Sequence, residues 1–373
     1  MGSGWSMLRF VLALVLAGLL AGCGGSEGAD QEGATAGVSI EEGTDPSTSG
    51  DGSAVDEQAD GSGENAGSDS LEDAPLLEPV QRFAVDKGDA VDIGGIALSP
   101  DGVTVVVALL DDRGSPTSLQ FYDAATGTQS QTVEVDAIGM GPLYWSADGR
   151  LTSLLLQDGF SWQSWEPTTF APMAPVPADP GCADGQLDKA TGAVFSTDDL
   201  GTMGDTICRV DTLSGEMAVV PDGTLVTPDE FWVRPGSDEL VIVHYPDPDA
   251  KELLVLDSAT FEPRSRTELT FDQWVKAVGA TTWIQDVAAS THVLEPGSIA
   301  APAITAPLRA SGAGTMFISA DGAENHVVVS ATDGSVIGTF PAQMNLSNWS
   351  DWSIDDSVFA RATLDDHIEI FHF

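Results

Sequence analysis

The feature that most constrains this chain is a tight turn that returns at near-regular intervals. Ser99-Pro100-Asp101-Gly102 is echoed by Ser146-Ala147-Asp148-Gly149 and Ser319-Ala320-Asp321-Gly322, with a weaker copy at Ser353-Ile354-Asp355-Asp356. An apolar residue precedes each turn (Leu98, Trp145, Ile318 and Trp352), and an apolar run follows. Fainter equivalents fall at Lys189-Ala190-Thr191-Gly192, Pro235-Gly236-Ser237-Asp238 and Val278-Gly279. Measured from 99, 146, 189, 235, 278, 319 and 353, the steps are 47, 43, 46, 43, 41 and 34 residues. A period of this size marks a chain assembled from repeated supersecondary units. The turn itself has a local cause. Ser and Asp side chains bond nearby backbone amides, Pro presets φ, and Gly accepts the left-handed conformation that closes a short hairpin.

Between the turns lie short runs such as VTVVVALL, LTSLLLQ, ELVIVHY, ELLVLD, HVVVSA and HIEIFHF. They are rich in Val, Ile and Leu and bounded by Gly, Pro, Asp and Ser, the signature of many short strands. A second turn signal runs out of phase with the first. Its copies are FYDAATGTQ at 121–129, WEPTTFA, VDTLSGE, LDSATFE, LEPGSIA and SATDGSV: six, against seven of the first kind. A seventh would follow EIFHF, where the chain stops, while PVQRFAVDKG at 79–88 is an apolar strand without a partner of its own. In a ring of four-stranded blades the last blade can take its outer strand from the N-terminus, which closes the circle and removes open edges. The expectation for 79–373 is therefore all-β, a seven-bladed β-propeller closed by an N-terminal strand. Six blades with a long insertion, or eight, are the alternatives left by a weakly marked fifth blade. These motifs resemble those of bacterial propellers of the YVTN and WD-repeat-like superfamily. That resemblance implies blades and leaves function open, because such rings host both enzymes and binders.

The N-terminus is of another kind. Arg9 precedes an apolar core from Phe10 to about Leu20, shorter than the roughly 20 residues of a membrane-spanning helix. Leu20, Ala21, Gly22 and Cys23 follow, and this ending resembles the lipobox of bacterial lipoproteins. The resemblance implies a signal peptide over 1–22, a lipid on Cys23, and a lipid-anchored place in the bacterial cell envelope on the extracytoplasmic side, periplasmic or cell-surface. Residues 23–78 form the lipidated N-terminus and a linker whose stretch from Gly24 to Glu78 carries 15 acidic residues and no Lys or Arg. With so little to bury, such a segment is expected to be a disordered, charge-extended tether reaching on the order of 40 Å or more.

Charge excludes one class of partner. The chain has 14 Lys and Arg against 58 Asp and Glu, a net charge of −44. Nucleic acid binding needs clustered cations, so none is expected. Outside the cytoplasm Cys182 and Cys208 are expected to form a disulfide, a pair of free buried thiols being the alternative. At a separation of 26 residues a bridge contributes roughly 3 kcal/mol by chain entropy. No catalytic residues, metal ligands or cofactor are expected, because nucleophile elbows, phosphate loops and zinc spacings are missing from the sequence. Asp198, Asp199 and Asp205 read as a solvated loop, and NWSDWS at 348–353 and SWQSW at 161–165 read as core aromatics. The functional expectation is a monomeric, membrane-tethered binding or scaffold module for an unidentified envelope protein or small ligand. The rival is a metal- or quinone-dependent propeller enzyme, lactonase-like or dehydrogenase-like, with its site assembled from several blades.

Overall fold

The computed structural model describes residues 74–373 apart from 180–181, 183–184, 198–206, 222–227, 248, 287–290, 295–299, 302–305, 321–324 and 342–348. Strand β1 (Gln81–Ala84) comes first. Blade 1 follows as β2 (Asp92–Leu98), β3 (Thr104–Leu110), β4 (Pro116–Asp123) and β5 (Gln129–Glu134). In blade 2 the inner position is split between β6 (Gly139–Met140) and β7 (Tyr144–Trp145). Both pair with β8 (Leu151–Leu156), and β9 (Phe160–Trp165) and β10 (Val176–Pro177) lie outside it. Blade 3 is β11 (Gly185–Leu187), β12 (Ala193–Thr197), β13 (Ile207–Asp211) and β14 (Met217–Val219). Blade 4 is β15 (Pro228–Val233), β16 (Glu239–Asp247), β17 (Ala250–Asp257) and β18 (Pro263–Leu269). Blade 5 is β19 (Gln273–Val278), β20 (Thr282–Asp286), β21 (Thr291–Leu294) and β22 (Ala300–Ala301). Blade 6 is β23 (Ala306–Ala310), β24 (Met316–Ala320), β25 (Asn325–Ser330) and β26 (Val336–Pro341). The remaining strands, β27 (Ser350–Trp352), β28 (Val358–Ala362) and β29 (His367–His372), form a closing sheet whose outer strand is β1, antiparallel to β29.

The seven-bladed count read from the sequence is corrected here. Consecutive strands complete six blades, and the last sheet is a composite of both ends of the fold. The six acid–Thr/Ser–Gly turns are the better counter, since each joins the third and fourth strands of one of these blades. The Ser-x-Asp-Gly turns count less cleanly, because their chemistry suits any short hairpin. Ser319 and Ala320 end β24, so that copy belongs to the second hairpin of blade 6 and not to its first. The first hairpin of blade 6 turns at Ser311-Gly312-Ala313-Gly314 instead.

Why the strand sequences read as near-continuous apolar runs is plain from the packing. Val105, Val107 and Leu109 of β3 pack toward the closing sheet, against Val358, Ala360, Ile368 and Ile370. Val106 and Ala108 of the same strand pack the other way, against Leu143, Trp145, Leu151 and Leu155 of blade 2. The same double burial continues around the ring: Phe195 against Leu240 and Leu254, Val241 against Ile284, Trp283 against Phe317, and Phe340 against Trp352 and Phe359. A fully buried strand reads as a continuous apolar run in just this way. Trp162, Trp165 and Trp352 are each 2% exposed or less, as expected of core aromatics, whereas Trp349 of the same NWSDWS stretch is only half-buried, packed against the cluster between blade 1 and the closing sheet.

Acidic turn residues carry much of the hairpin hydrogen bonding. Asp257 accepts the amides of Ala259 and Thr260, and Arg264 pairs with it from β18. The Thr260 amide above all, helped by Arg264, holds the Asp257 carboxyl down to about 2 against the opposing effect of burial. A folded pKa below the unfolded value of about 3.9 stabilises the protein above pH 4 and is lost as pH falls toward 2. The Asp257 carboxyl carbon should therefore titrate by NMR with a midpoint near pH 2 in the folded chain, and Arg264→Ala should raise that midpoint. A midpoint near 4 in the unaltered protein would mean this turn is not formed.

Candidate functional site: the central channel

The inner strands of all the blades and of the closing sheet surround a cavity of about 510 Å³, in the range of small-molecule sites. Its walls include Tyr144, Gln186, Trp232 and Val278, together with the first turns of several blades. Its charged centre is built from parts far apart in the chain. Lys189, in the first turn of blade 3, donates from Nζ to Asp351 Oδ1 at 2.8 Å and to the Trp352 carbonyl at 2.9 Å. Arg309 on β23 donates to the same Oδ1 at 3.3 Å and also bonds the carbonyl of Ser350. Asp351 Oδ2 accepts the Leu98 amide of blade 1 at 3.0 Å. One carboxylate, 4% exposed, thus ties blades 1, 3 and 6 to the closing sheet. Such charge-assisted bonds are the stronger kind.

A belt of contacts between neighbouring first turns and inner strands surrounds this centre. Tyr144 Oη donates to the Gly185 carbonyl, and Gln186 donates to Phe231 O and accepts from Val233 N. Arg234 reaches the carbonyls of Gly279 and Ala280 and the hydroxyl of Thr282, and Ala280 N donates to Gly314 O. At the junction of blade 6 and the closing sheet the acid is supplied from outside the turn. In the turns at Ser99, Ser146 and Ser353 the serine hydroxyl donates to the Asp two residues on. Ser311 has Ala313 there, and its hydroxyl donates instead to Asp356 of the next sheet at 2.6 Å. Asp356 also accepts the amides of Ala313 and Thr315. It sits at φ +64°, where Gly102 stands in the first marker, a conformation Asp tolerates better than most residues. Gly312 completes the junction, since a Cβ there would come within 2.0 Å of the Ser353 carbonyl oxygen.

The expected sites fall in different places. Cys182 and Cys208 are joined by a disulfide with Cα atoms 6.1 Å apart, tying the segment that enters blade 3 to β13. Leu20, Ala21, Gly22 and Cys23 lie outside the described residues, as do Asp198, Asp199 and Asp205. Among the described residues no three His, Cys, Asp or Glu side chains are grouped as for a metal ion. His244 lies in blade 4, His326 in blade 6, and His367 and His372 in the closing sheet, so the fold does not gather them. The residues missed by sequence reasoning are Lys189, Arg309 and Asp351. Asp351 was within view, in the middle of NWSDWS, but its aromatic neighbours account for that stretch without it. Scarcity is no guide either, since Arg150, Lys189, Arg234, Lys276 and Arg309 all stand beside a first turn or on an inner strand, and nothing local singles out the two that meet Asp351.

No family profile matches the chain, and no curated protein is found to resemble it. Solved structures do. The β-propeller domain of Myceliophteria thermophila Cps50 (Swd1) aligns with 79% of this chain and 100% of its own, at 12% identity and a TM-score of 0.51. A chain of the mitotic checkpoint complex aligns at 13% identity and a TM-score of 0.49, covering 82% of this chain and 94% of its own. A chain of Kuenenia stuttgartiensis hydrazine synthase does so at 12% and 0.48, covering 78% and 99%. The likeness to the first of these is one of fold, and by fold this chain is a β-propeller.

Proposed function

We propose that this chain is a lipid-anchored, extracytoplasmic propeller that works as a binding or scaffold module and not as an enzyme. The observation that carries the reading is the use made of the channel's charged groups. Lys189 and Arg309 share one carboxylate, and Asp351 with its partners serves to hold sheets together. Side chains committed in this way make a rigid axle, and a rigid ring is a good platform for presenting loops to a partner. The lipobox-like ending at Cys23 and the acidic stretch after it supply the anchor and tether, and the Cys182–Cys208 disulfide suits an oxidising compartment.

Two measurements test this. Cys23→Ala should leave the chain unlipidated and move it from the membrane fraction to the soluble one. Retention of the variant in the membrane fraction overturns the anchor. Elemental analysis of the native protein should find no stoichiometric divalent ion, and the protein should not turn over lactone, sugar or alcohol substrates. A tightly bound metal with turnover overturns the binding role in favour of a propeller enzyme.

A further inference from the structure

Large apolar side chains exposed one at a time need no explanation, but two side by side, one of them over a buried cation, do. Phe271 and Trp274 are 50% and 43% exposed, and both lie where the chain passes from blade 4 into blade 5. Tyr245 of β16 stacks beside Phe271 with ring centroids 6.2 Å apart. Lys251 of β17 is 3% exposed, its Nζ 4.1 Å from the Trp274 ring centroid and 6.0 Å from that of Tyr245. It also donates to the Gln273 carbonyl at 2.6 Å. These contacts draw the three rings into one platform, with Lys251 against the Trp274 ring, which stays exposed. Because successive strands alternate in direction, the β16–β17 hairpin and the β18–β19 connection lie on the same face of the ring. That face is opposite the first turns that line the channel cavity.

The surroundings give the platform a sign. Asp272 adjoins Phe271, and Asp247 and Asp249 lie in the hairpin just beyond Tyr245; all three are exposed. Arg266, an exposed cation nearby among the described side chains, is turned to Glu252 at 3.4 Å. Exposed aromatics with carboxylates beside them in the chain match a ligand with an apolar centre and positive flanks.

We propose that Phe271, Trp274 and Tyr245 form a docking surface for a basic, apolar-centred segment of a partner protein, whose Arg or Lys side chains pair with Asp247, Asp249 and Asp272. The proposal rests on the binding-module reading and names the kind of partner. Rigid aromatics are the usual anchors of such contacts, and charge complementarity sets the choice of partner and the on-rate.

The test uses the full chain in detergent and three labelled peptides: one alternating Arg and Leu, one with Glu in place of Arg, and one with Ser in place of Leu. The Arg/Leu peptide should bind, with affinity falling about tenfold or more in Phe271→Ala and in Trp274→Ala. It should weaken similarly in the combined Asp247→Asn, Asp249→Asn and Asp272→Asn variant, and as salt is raised. Unchanged thermal midpoints in the three variants establish that folding is intact; if Trp274→Ala lowers its midpoint, Phe271→Ala and the charge variant decide. Equal binding of the Glu peptide, or Arg/Leu binding indifferent to all the variants, overturns the proposal. So does concentration-dependent self-association that Phe271→Ala abolishes, which would make a second copy of the chain the occupant. Any of these with Cys23-dependent anchoring intact overturns the docking surface alone and leaves the proposed function standing.

Discussion

Asp351→Ala is expected to lower the stability of the ring by about 2–3 kcal/mol. Removing one partner of a buried charge cluster typically costs roughly 3–5 kcal/mol, because the remaining charges lose their compensation. The lower figure applies here because the Lys189 and Arg309 side chains keep 25% and 32% of their exposure and can draw water from the channel. What is lost is more than a pair: two cations are left facing one cavity, and the Leu98 amide loses its acceptor. Asp351→Asn separates these effects, since its amide oxygen can still accept from Leu98 while the charge is gone. Thermal unfolding should rank the proteins as wild type, then Asn, then Ala, with the Ala variant lower by roughly 5 °C or more. Replacing Lys189 by Met in the Asp351→Ala background should recover part of the loss, because one uncompensated charge goes with it. If Asp351→Ala unfolds at the wild-type temperature, the cluster is not an axle and the channel's charged groups are not committed to holding the ring together.

How much of this was legible in the sequence depends on the distance over which each feature is encoded. The turns at Ser99, Ser146 and Ser353 are local: hydroxyl, carboxylate and the residue with positive φ lie within four consecutive positions, and each stretch announces itself. The solitary strand before blade 1 was legible for a different reason, since an apolar run without a hairpin partner must find one elsewhere. The first turn of blade 6 was not legible. Its acid, Asp356, is supplied 45 residues downstream, and the sequence there shows only Ser-Gly-Ala-Gly. A nearby Ser319-Ala320-Asp321-Gly322 with the expected chemistry took its place in the count, although β24 and β25 lie on either side of it. The channel centre failed for the same reason on a larger scale. Lys189 and Asp351 are separated by 162 residues, and no period or motif joins them; only closing the ring does.

Deleting the chain through β1 should be the more damaging change, at a cost on the order of 4 kcal/mol. Gln81–Ala84 pairs along β29, and without it β29 becomes an open edge, a template for pairing with another chain. Phe83 would leave its contact with Tyr122, 5.1 Å between ring centroids, and its packing over Gly127; loss of a well-packed aromatic alone can cost about 3 kcal/mol. Arg82 would also leave Glu369, whose remaining partner is Arg361, packed against the rings of Phe340 and Phe371. The expected product unfolds at a much lower temperature and self-associates, as light scattering would show, whereas removing 24–73 alone leaves both properties unchanged. Position in the ring, not position in the chain, is what this strand contributes. Since Gln81 lies opposite Ile370 and the strands are antiparallel, a short turn after Phe373 leading into a relocated copy of 79–85 would restore the same pairing. That permuted chain should regain the wild-type unfolding temperature and stay monomeric. If it does not, while the unaltered chain does, then the upstream contacts of Pro75 and Leu77 with Thr339 of blade 6 carry the closure and β1 is only their extension.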